Sequence, residues 1–323
     1  MKRLENCTWE PAWVSHLGCL KGCLEYLGVD VSMDWLYGGT GHAFVINMHE
    51  EVCPSGPTAW DTRMLFELGA NLGYRETCVF GGKQDGGLGE AQERAWEMVR
   101  GAIDQGLPCY GWELEIPEFY VICGYEDGPD GGYYYAGPGC EDGKGPKPWR
   151  ELGDTGIGIV EVYAVRPGEA ADDVTAVGKA LSAALNHASN PKEWIFEGYR
   201  AGLEGYDNWI RALEEGKASD MGMRFNAGVW LECRQHAVGF LREAESRLAG
   251  LADAPLDAAL LHYTAVAEGL GEVAEIYPWS WGASDEEVLP IDDRSRAAVE
   301  ALRMARDAEA AGLAALDEIV RVL

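Results

Sequence analysis

Positive charge is what this sequence has least of. Among its 323 residues, 26 lysines and arginines stand against 54 aspartates and glutamates, a formal net charge of −28. A chain this anionic is repelled by phosphate backbones and anionic headgroups, which excludes nucleic acid and membrane surfaces as its principal partners. Long apolar runs are also missing. None approaches the roughly 20 residues that span a bilayer. The opening Met1-Lys2-Arg3-Leu4-Glu5-Asn6 has no apolar stretch of the signal-peptide kind. The nine cysteines, an odd number, therefore read as reduced thiols, and a cytoplasmic location is expected. Internal repeats and low-complexity tracts are absent. Apolar residues at 47% beside charged residues at 25% exclude a disordered chain.

What is present changes character along the chain. Residues 1–168 hold 29 of the glycines and the remainder only 13. The first part is turn-rich and aromatic; the second is rich in Ala, Leu and Glu with long helical periods. Arg166-Pro167-Gly168 marks the expected boundary, because Pro and Gly stop a strand. The acidity is spread evenly, with 26 acids against 12 bases up to residue 168 and 28 against 14 beyond it, as expected of a solvated acidic surface.

The first half predicts helices over Pro11–Tyr26, Ser32–Leu36, Thr58–Leu72 and Glu90–Gln105. Strands follow over Pro108–Leu114, Phe119–Tyr125, Gly132–Ala136 and Ile157–Val165, with Asp127-Gly128-Pro129-Asp130-Gly131 as a connecting turn. Helices first and an antiparallel sheet second is an α+β order. The second half predicts an all-α bundle with helices over Asp172–His187, Pro191–Glu215, Ala218–Leu248, Leu256–Ile276 and Arg294–Leu323. Gly178, Gly198, Gly202 and Gly228 fall inside these spans. Each costs roughly 1 kcal/mol relative to Ala, and close helix–helix approach is the expected reason for them.

Several residues invite a chemical reading. His16, Cys19 and Cys23 share a helix face at ligand-like spacing, but no fourth ligand is evident and buried Cys is common, so core packing is expected and no metal site. Cys7 precedes a helix start, where a thiol can be acidified. His42 sits in the glycine loop Gly38-Gly39-Thr40-Gly41-His42, where the backbone can approach a ligand closely, so Gly39, Thr40 and Gly41 are candidate ligand contacts and His42 a candidate base. No Gly-Lys-Ser/Thr follows, which rules out a phosphate loop, and no cofactor signature is present. Trp112-Glu113-Leu114-Glu115-Ile116-Pro117-Glu118 places carboxylates on one strand face until Pro117 breaks the register. Trp112 and Glu113 are therefore candidate ligand contacts. Asn226, Trp230 and Arg234 form a helical stripe that is either core or the wall of a ligand cleft.

The first half resembles the papain-like fold, and most closely the butirosin biosynthesis protein H family and the bacteriocin-processing cysteine peptidases. The resemblance rests on Cys19-Leu20-Lys21-Gly22-Cys23-Leu24-Glu25-Tyr26-Leu27-Gly28, which matches the end of the family's first helix. It rests also on Ser32-Met33-Asp34-Trp35-Leu36-Tyr37-Gly38-Gly39-Thr40-Gly41-His42-Ala43-Phe44, on Glu118-Phe119-Tyr120-Val121-Ile122-Cys123-Gly124-Tyr125, and on Gly137-Pro138. The family implies a papain-like domain over 1–168, a helical domain over 169–323, and a Cys–His dyad with an orienting acid. Counting back thirteen residues from Gly28 puts Ser15 at the nucleophile position and Cys19 at the second-Cys position. Glu118 stands at the base position and Gly137 at that of the acid. A thiolate generated by an imidazole is then missing.

Two functions follow as expectations. One is a non-catalytic or chemically altered papain-like protein that binds a small cationic or peptide-like ligand in an inter-domain cleft. The other is an acyltransferase or amide hydrolase using Ser15, Cys19 or Cys7 with His42 or Glu118. A structural partner protein is a third class, and a homo-oligomer is compatible with all three.

Overall fold

The computed structural model describes all residues except 85, 129, 130 and 249. The predicted turn at 127–131 thus falls partly outside the described residues. In chain order the elements are β1 (Lys2–Arg3), α1 (Ser15–Tyr26), α2 (Met33–Gly39), β2 (Asn47–His49), α3 (Arg63–Gly69), β3 (Leu72–Gly82), α4 (Leu88–Asp104), β4 (Cys109–Trp112) and β5 (Phe119–Glu126). They continue with β6 (Gly132–Gly137), β7 (Cys140–Pro148), β8 (Ile159–Ala170), α5 (Asp173–Ser189), β9 (Tyr199–Ala201), α6 (Leu203–Glu214), α7 (Asp220–Leu248), α8 (Asp253–Ile276) and α9 (Asp293–Val322). No helix among the described residues is long and apolar enough to cross a membrane.

The chain forms two compact units. One comprises Met1–Val31 with Gly73–Ala170, the other Ser32–Leu72 with Ala171–Leu323. The sequence expectation placed a single boundary at 168; residues 32–72 instead belong to the helical unit. Strand β8 also runs through Pro167-Gly168 to Ala170. Near the end of a strand, a proline costs only one ladder donor.

The sheet unit is built on one antiparallel sheet in the order β3-β8-β4-β5-β6-β7, with β1 beside β5. In the centre Tyr110 lies opposite Tyr163 and also opposite Val121. Side chains alternate across a pleated strand. Val79 on β3, Cys109 on β4, Ile122 on β5, and Val160 and Val162 on β8 share a core with α4, whose Ala91, Ala95, Val99, Ala102 and Ile103 recur at helical spacing. Each such burial contributes about 1.5–3 kcal/mol for the larger side chains. Tyr110, Trp112, Glu161 and Tyr163 occupy alternate positions and face the other way. There His16 of α1 packs edge-on against Tyr110, Phe119 and Tyr163.

The helical unit is not all-α. β2 and β9 pair antiparallel, Asn47 opposite Ala201, and β9 falls inside the span predicted as one helix over 191–215. α9 starts on a capping box of Asp292 and Ser295, and α5 on Asp172, which accepts from the Thr175 N–H. α2 packs on α7 so closely that a Cβ on Gly38 would lie 1.9 Å from Phe240 Cγ. The helix glycines flagged from sequence behave differently. A Cβ on Gly178 would meet nothing within 4 Å, so close approach does not explain it, and Gly198 and Gly202 lie outside helices with φ of +87° and +58°.

Candidate active site

Ser15 is the first residue of α1, and no side chain caps that helix. Its hydroxyl donates a short hydrogen bond to Glu118 Oε2 and accepts one from the Phe119 N–H at 3.0 Å. Residues 103 apart in sequence thus meet at the start of α1. Two features bring Glu118 there. Strand β4 stops at Trp112, because Glu113 takes a φ of +58°. The loop then closes on a Glu113 N–H to Glu118 carbonyl bond at 2.8 Å, which delivers Glu118 at the head of β5. Burial pushes the Glu118 carboxyl up to about 7, and the bond from Ser15 only partly opposes this.

The same left-handed residue overturns the expected shared carboxylate face. Glu113 is buried and accepts from Thr155 Oγ1 at 2.8 Å. Glu115 turns outward to accept from Tyr135 and to pair with Lys144 at 2.7 Å. Only Glu118 reaches Ser15. Trp112 is buried edge-on against Phe119, with ring centroids 5.0 Å apart.

Around this pair lies a tyrosine–carboxyl network that the sequence reading did not identify. Tyr110 donates to Glu76 Oε1 and approaches His16 Nε2 at 3.3 Å. Tyr163 donates to Glu161 and stacks on Tyr110 with centroids 4.9 Å apart. Burial raises Glu76 to about 7 and moves Glu161 upward as well; in each case the bond from tyrosine lowers it in part. Glu76 was missed because β3 was not recognised. The signal was there: Tyr74-Arg75-Glu76-Thr77-Cys78-Val79-Phe80, strand-forming residues bounded by glycines.

Cys19 is placed as a poor nucleophile. Burial raises Cys19 well above the ordinary thiol range, with Glu118 adding to the effect. Cys7 is buried beside a small cavity of about 130 Å³ that Cys123 and Arg3 also line. All nine cysteines are unpaired. Among the described residues, no group of three or more His, Cys, Asp or Glu side chains is placed to hold a metal ion.

His42, Gly39, Thr40 and Gly41 belong to the helical unit. The glycine loop is not open: α2 runs through Gly39, Thr40 bonds back to Leu36 O at 2.7 Å, and Gly41 takes a φ of +77° to start the tight turn His42–Phe44. His42 is buried, with Nδ1 3.5 Å from Cys233 Sγ. Burial lowers it to about 4, so it is neutral at pH 7. Trp230 and Arg234 are fully buried rather than lining a ligand wall. The Trp230 indole N–H donates to Asn226 Oδ1 at 3.0 Å. Arg234 bonds Glu309 through Nε and Nη2 at 2.7 and 3.0 Å, and Ala43 and Val45 carbonyls through Nη1 at 2.8 and 2.9 Å. Tyr206 donates to the same carboxylate. A fixed five-donor fork suits this cradle, and Lys could not replace it.

No family model and no curated protein matches the sequence.

Proposed function

We propose that the sheet unit carries an acyl-transfer or amide-hydrolysis site on a papain-like frame, with Ser15 as nucleophile and Glu118 as its base. One observation carries the reading. The residues that the family register puts at the nucleophile and base positions are hydrogen-bonded to each other at the start of the first helix. Serine beside an ordinary carboxylate, with a pKa near 4, is a weak nucleophile. A carboxyl raised to about 7 is matched to proton transfer at neutral pH. In the reaction, ionised Glu118 takes the Ser15 proton as Oγ bonds to the substrate carbonyl carbon. The protonated carboxyl then passes that proton to the departing amine. Water or an acceptor amine attacks the resulting ester and releases Ser15, with Glu118 again taking a proton. The amide dipoles at the uncapped start of α1 favour the negative charge that develops on the carbonyl oxygen. A cationic or peptide-like substrate suits the acidic surroundings, and the unpaired thiols suit a reducing, cytoplasmic setting.

A second reading is binding without turnover. It draws on the Ser15 hydroxyl being fully engaged, donating to Glu118 and accepting from Phe119 N–H; such a tie can be purely structural. Intact mass after exposure to a fluorophosphonate, and separately to a limiting thiol alkylator, divides the two. The catalytic reading expects one stoichiometric phosphonyl adduct, lost in Ser15→Ala, slowed about 10²-fold or more in Glu118→Gln, and unaffected in Cys7→Ala and Cys19→Ala. No adduct at Ser15 would leave the binding reading.

A further inference from the structure

Cysteines gather at one place in the sheet unit. Cys19, Cys23, Cys109 and Cys123 all feel Cys7. Cys19, Cys23 and Cys109 are sealed, each at 0% exposure. Cys7 and Cys123 instead line the cavity of about 130 Å³, together with Arg3 and with Glu141 and Asp142 of β7. Those β7 residues are exposed, so solvent reaches the cavity. A water molecule needs only about 10–15 Å³ of such space, so a molecule of a few heavy atoms fits beside Cys7.

The backbone sets Cys7 against Cys23. Residues 8–10 run antiparallel to α1 and in direct contact with it. The Glu10 N–H donates to the Gly18 carbonyl at 3.1 Å. A Cβ on Gly18 would lie 2.3 Å from the Glu10 carbonyl oxygen, and one on Gly22 would lie 1.9 Å from that of Thr8. Two glycines one turn apart thus let the segment lie flat on the helix. Residue 10 sits beside 18 and residue 8 beside 22, which brings residue 7 to residue 23. The thiols report the same proximity. After burial, the largest influence on Cys23 is a hydrogen-bond contact with Cys7, ahead of Cys19 and Cys109. Cys123 feels Cys7 only through its charge. One thiol bordering a cavity, with a second in reach behind it, is the arrangement in which an oxidised sulfur is captured by its neighbour.

We propose that Cys7 is a modification site for small hydroperoxides, and that Cys23 captures the oxidised sulfur as a disulfide. In the first step the Cys7 sulfur attacks one oxygen of the peroxide. An S–O bond forms, the O–O bond breaks, and the other oxygen leaves with the thiol proton as water or an alcohol. In the second step the Cys23 sulfur attacks the Cys7 sulfenic acid at sulfur. The S–S bond forms, the S–O bond breaks, and the hydroxyl leaves with the Cys23 proton as water. Two electrons pass from the thiols to the peroxide. Burial keeps Cys23 protonated, which makes it a slow first reactant; contact with an electrophilic sulfur offsets this by proximity. The bridge closes a loop that contains Ser15, but the proposal does not rest on Ser15 as a nucleophile.

The test treats the folded full chain with hydrogen peroxide at pH 7, quenches with catalase and alkylates with N-ethylmaleimide in denaturant. The protein should lose two hydrogens, about 2 Da, and two of its nine thiols should escape the maleimide. Peptide masses should place the bridge between Cys7 and Cys23, and dithiothreitol should reverse it. Cys7→Ser should abolish the bridge. Cys23→Ser should abolish it too and, with dimedone present, carry one adduct on Cys7. Cys123→Ala should oxidise like the parent. So should Ser15→Ala, which separates failure of this site from failure of the Ser15 reaction. The parent's own peptide map keeps the test decisive if Cys23→Ser folds poorly. A bridge between Cys7 and Cys123 would overturn the proposal. So would oxidation of the exposed Cys78 with no bridge at Cys7, or a dimedone adduct elsewhere than Cys7 in Cys23→Ser.

Discussion

Replacing Glu309 by glutamine removes one charge from the interior of the helical unit and leaves another stranded. Arg234 is fully buried, and two of its bonds go to Glu309. Burial opposes the guanidinium charge, and Glu309 beside it more than compensates, holding it above its ordinary value. Glu309→Gln keeps the shape and loses the compensation. Breaking a buried pair at one partner costs about 3–5 kcal/mol, a large share of the roughly 5–15 kcal/mol that keeps a protein folded. The assay is hydrogen exchange followed by mass spectrometry on peptides covering residues 42–46 and 230–238, where the Ala43 and Val45 carbonyls meet Arg234. Amide exchange there should accelerate by about two to three and a half decades, at 1.4 kcal/mol per decade. The double replacement Arg234→Met with Glu309→Leu removes both charges and should recover part of the loss. Recovery stays incomplete because those carbonyls lose their donors, at about 1–3 kcal/mol for each left unsatisfied. Acceleration of less than about tenfold in Glu309→Gln would refute the reasoning, since it would mean that the buried charge is compensated by something other than this carboxylate.

The remaining predictions are simpler. Glu76 and Glu118, both raised to about 7, bind more protons folded than unfolded between about pH 4.5 and 7. Stability should therefore fall as pH rises through that window, by up to about 3 kcal/mol for each carboxyl; denaturant midpoints of Glu76→Gln and Glu118→Gln should show a flatter profile there. His42 and His187 are lowered by burial to about 4 and about 3, so each contributes a loss of stability as pH falls below about 6.5. His42→Asn should lessen that acid-side loss in the same titration. A Cβ on Gly22 would lie 1.9 Å from the Thr8 carbonyl oxygen. Gly22→Ala should lower the melting temperature through an overpacking cost of about 1–3 kcal/mol, whereas Gly178→Ala should raise it by removing a helix-interior glycine, worth up to about 1 kcal/mol.

The amino-acid sequence displayed the helices far better than the strands. α8 and α9 announce themselves because their buried positions, such as Leu302, Ala305, Leu316 and Ile319, repeat at the helical period. β5 is visible as a run of apolar and aromatic residues. β7 is not, since Cys140–Pro148 is an exposed strand of Gly, Lys and Asp with no alternation to detect. β9 is three residues long and gains its identity only from pairing with β2. The candidate site divides in the same way. Periodicity does not connect Ser15 with Glu118, because the positive φ at Glu113 and the loop that follows decide where Glu118 goes; the two residues were named together only through the register taken from a resemblance. Glu76 went unread along with β3. His42 looked accessible because glycines flank it, yet in the fold it packs against Trp60 and Cys233, a consequence of long-range packing that no local pattern carries.

The interleaving of the two units has a consequence for how the chain is made. Residues 32–72 leave the ribosome long before α5 to α9, the helices that complete their unit. Until then Leu36, Tyr37, Phe44, Val45 and Ile46, all buried in the finished protein, have little to shelter them. α1 likewise waits for β4 to β8. Neither half can close early, so assembly is dominated by distant pairings, which fold slowly and expose sticky intermediates. A fragment ending at residue 170 would carry an orphaned apolar segment inside an otherwise complete sheet unit. Dissection is better done by excising 32–72 and joining residue 31 to residue 73 through a short flexible linker, which keeps every member of the sheet unit and removes the segment that belongs elsewhere.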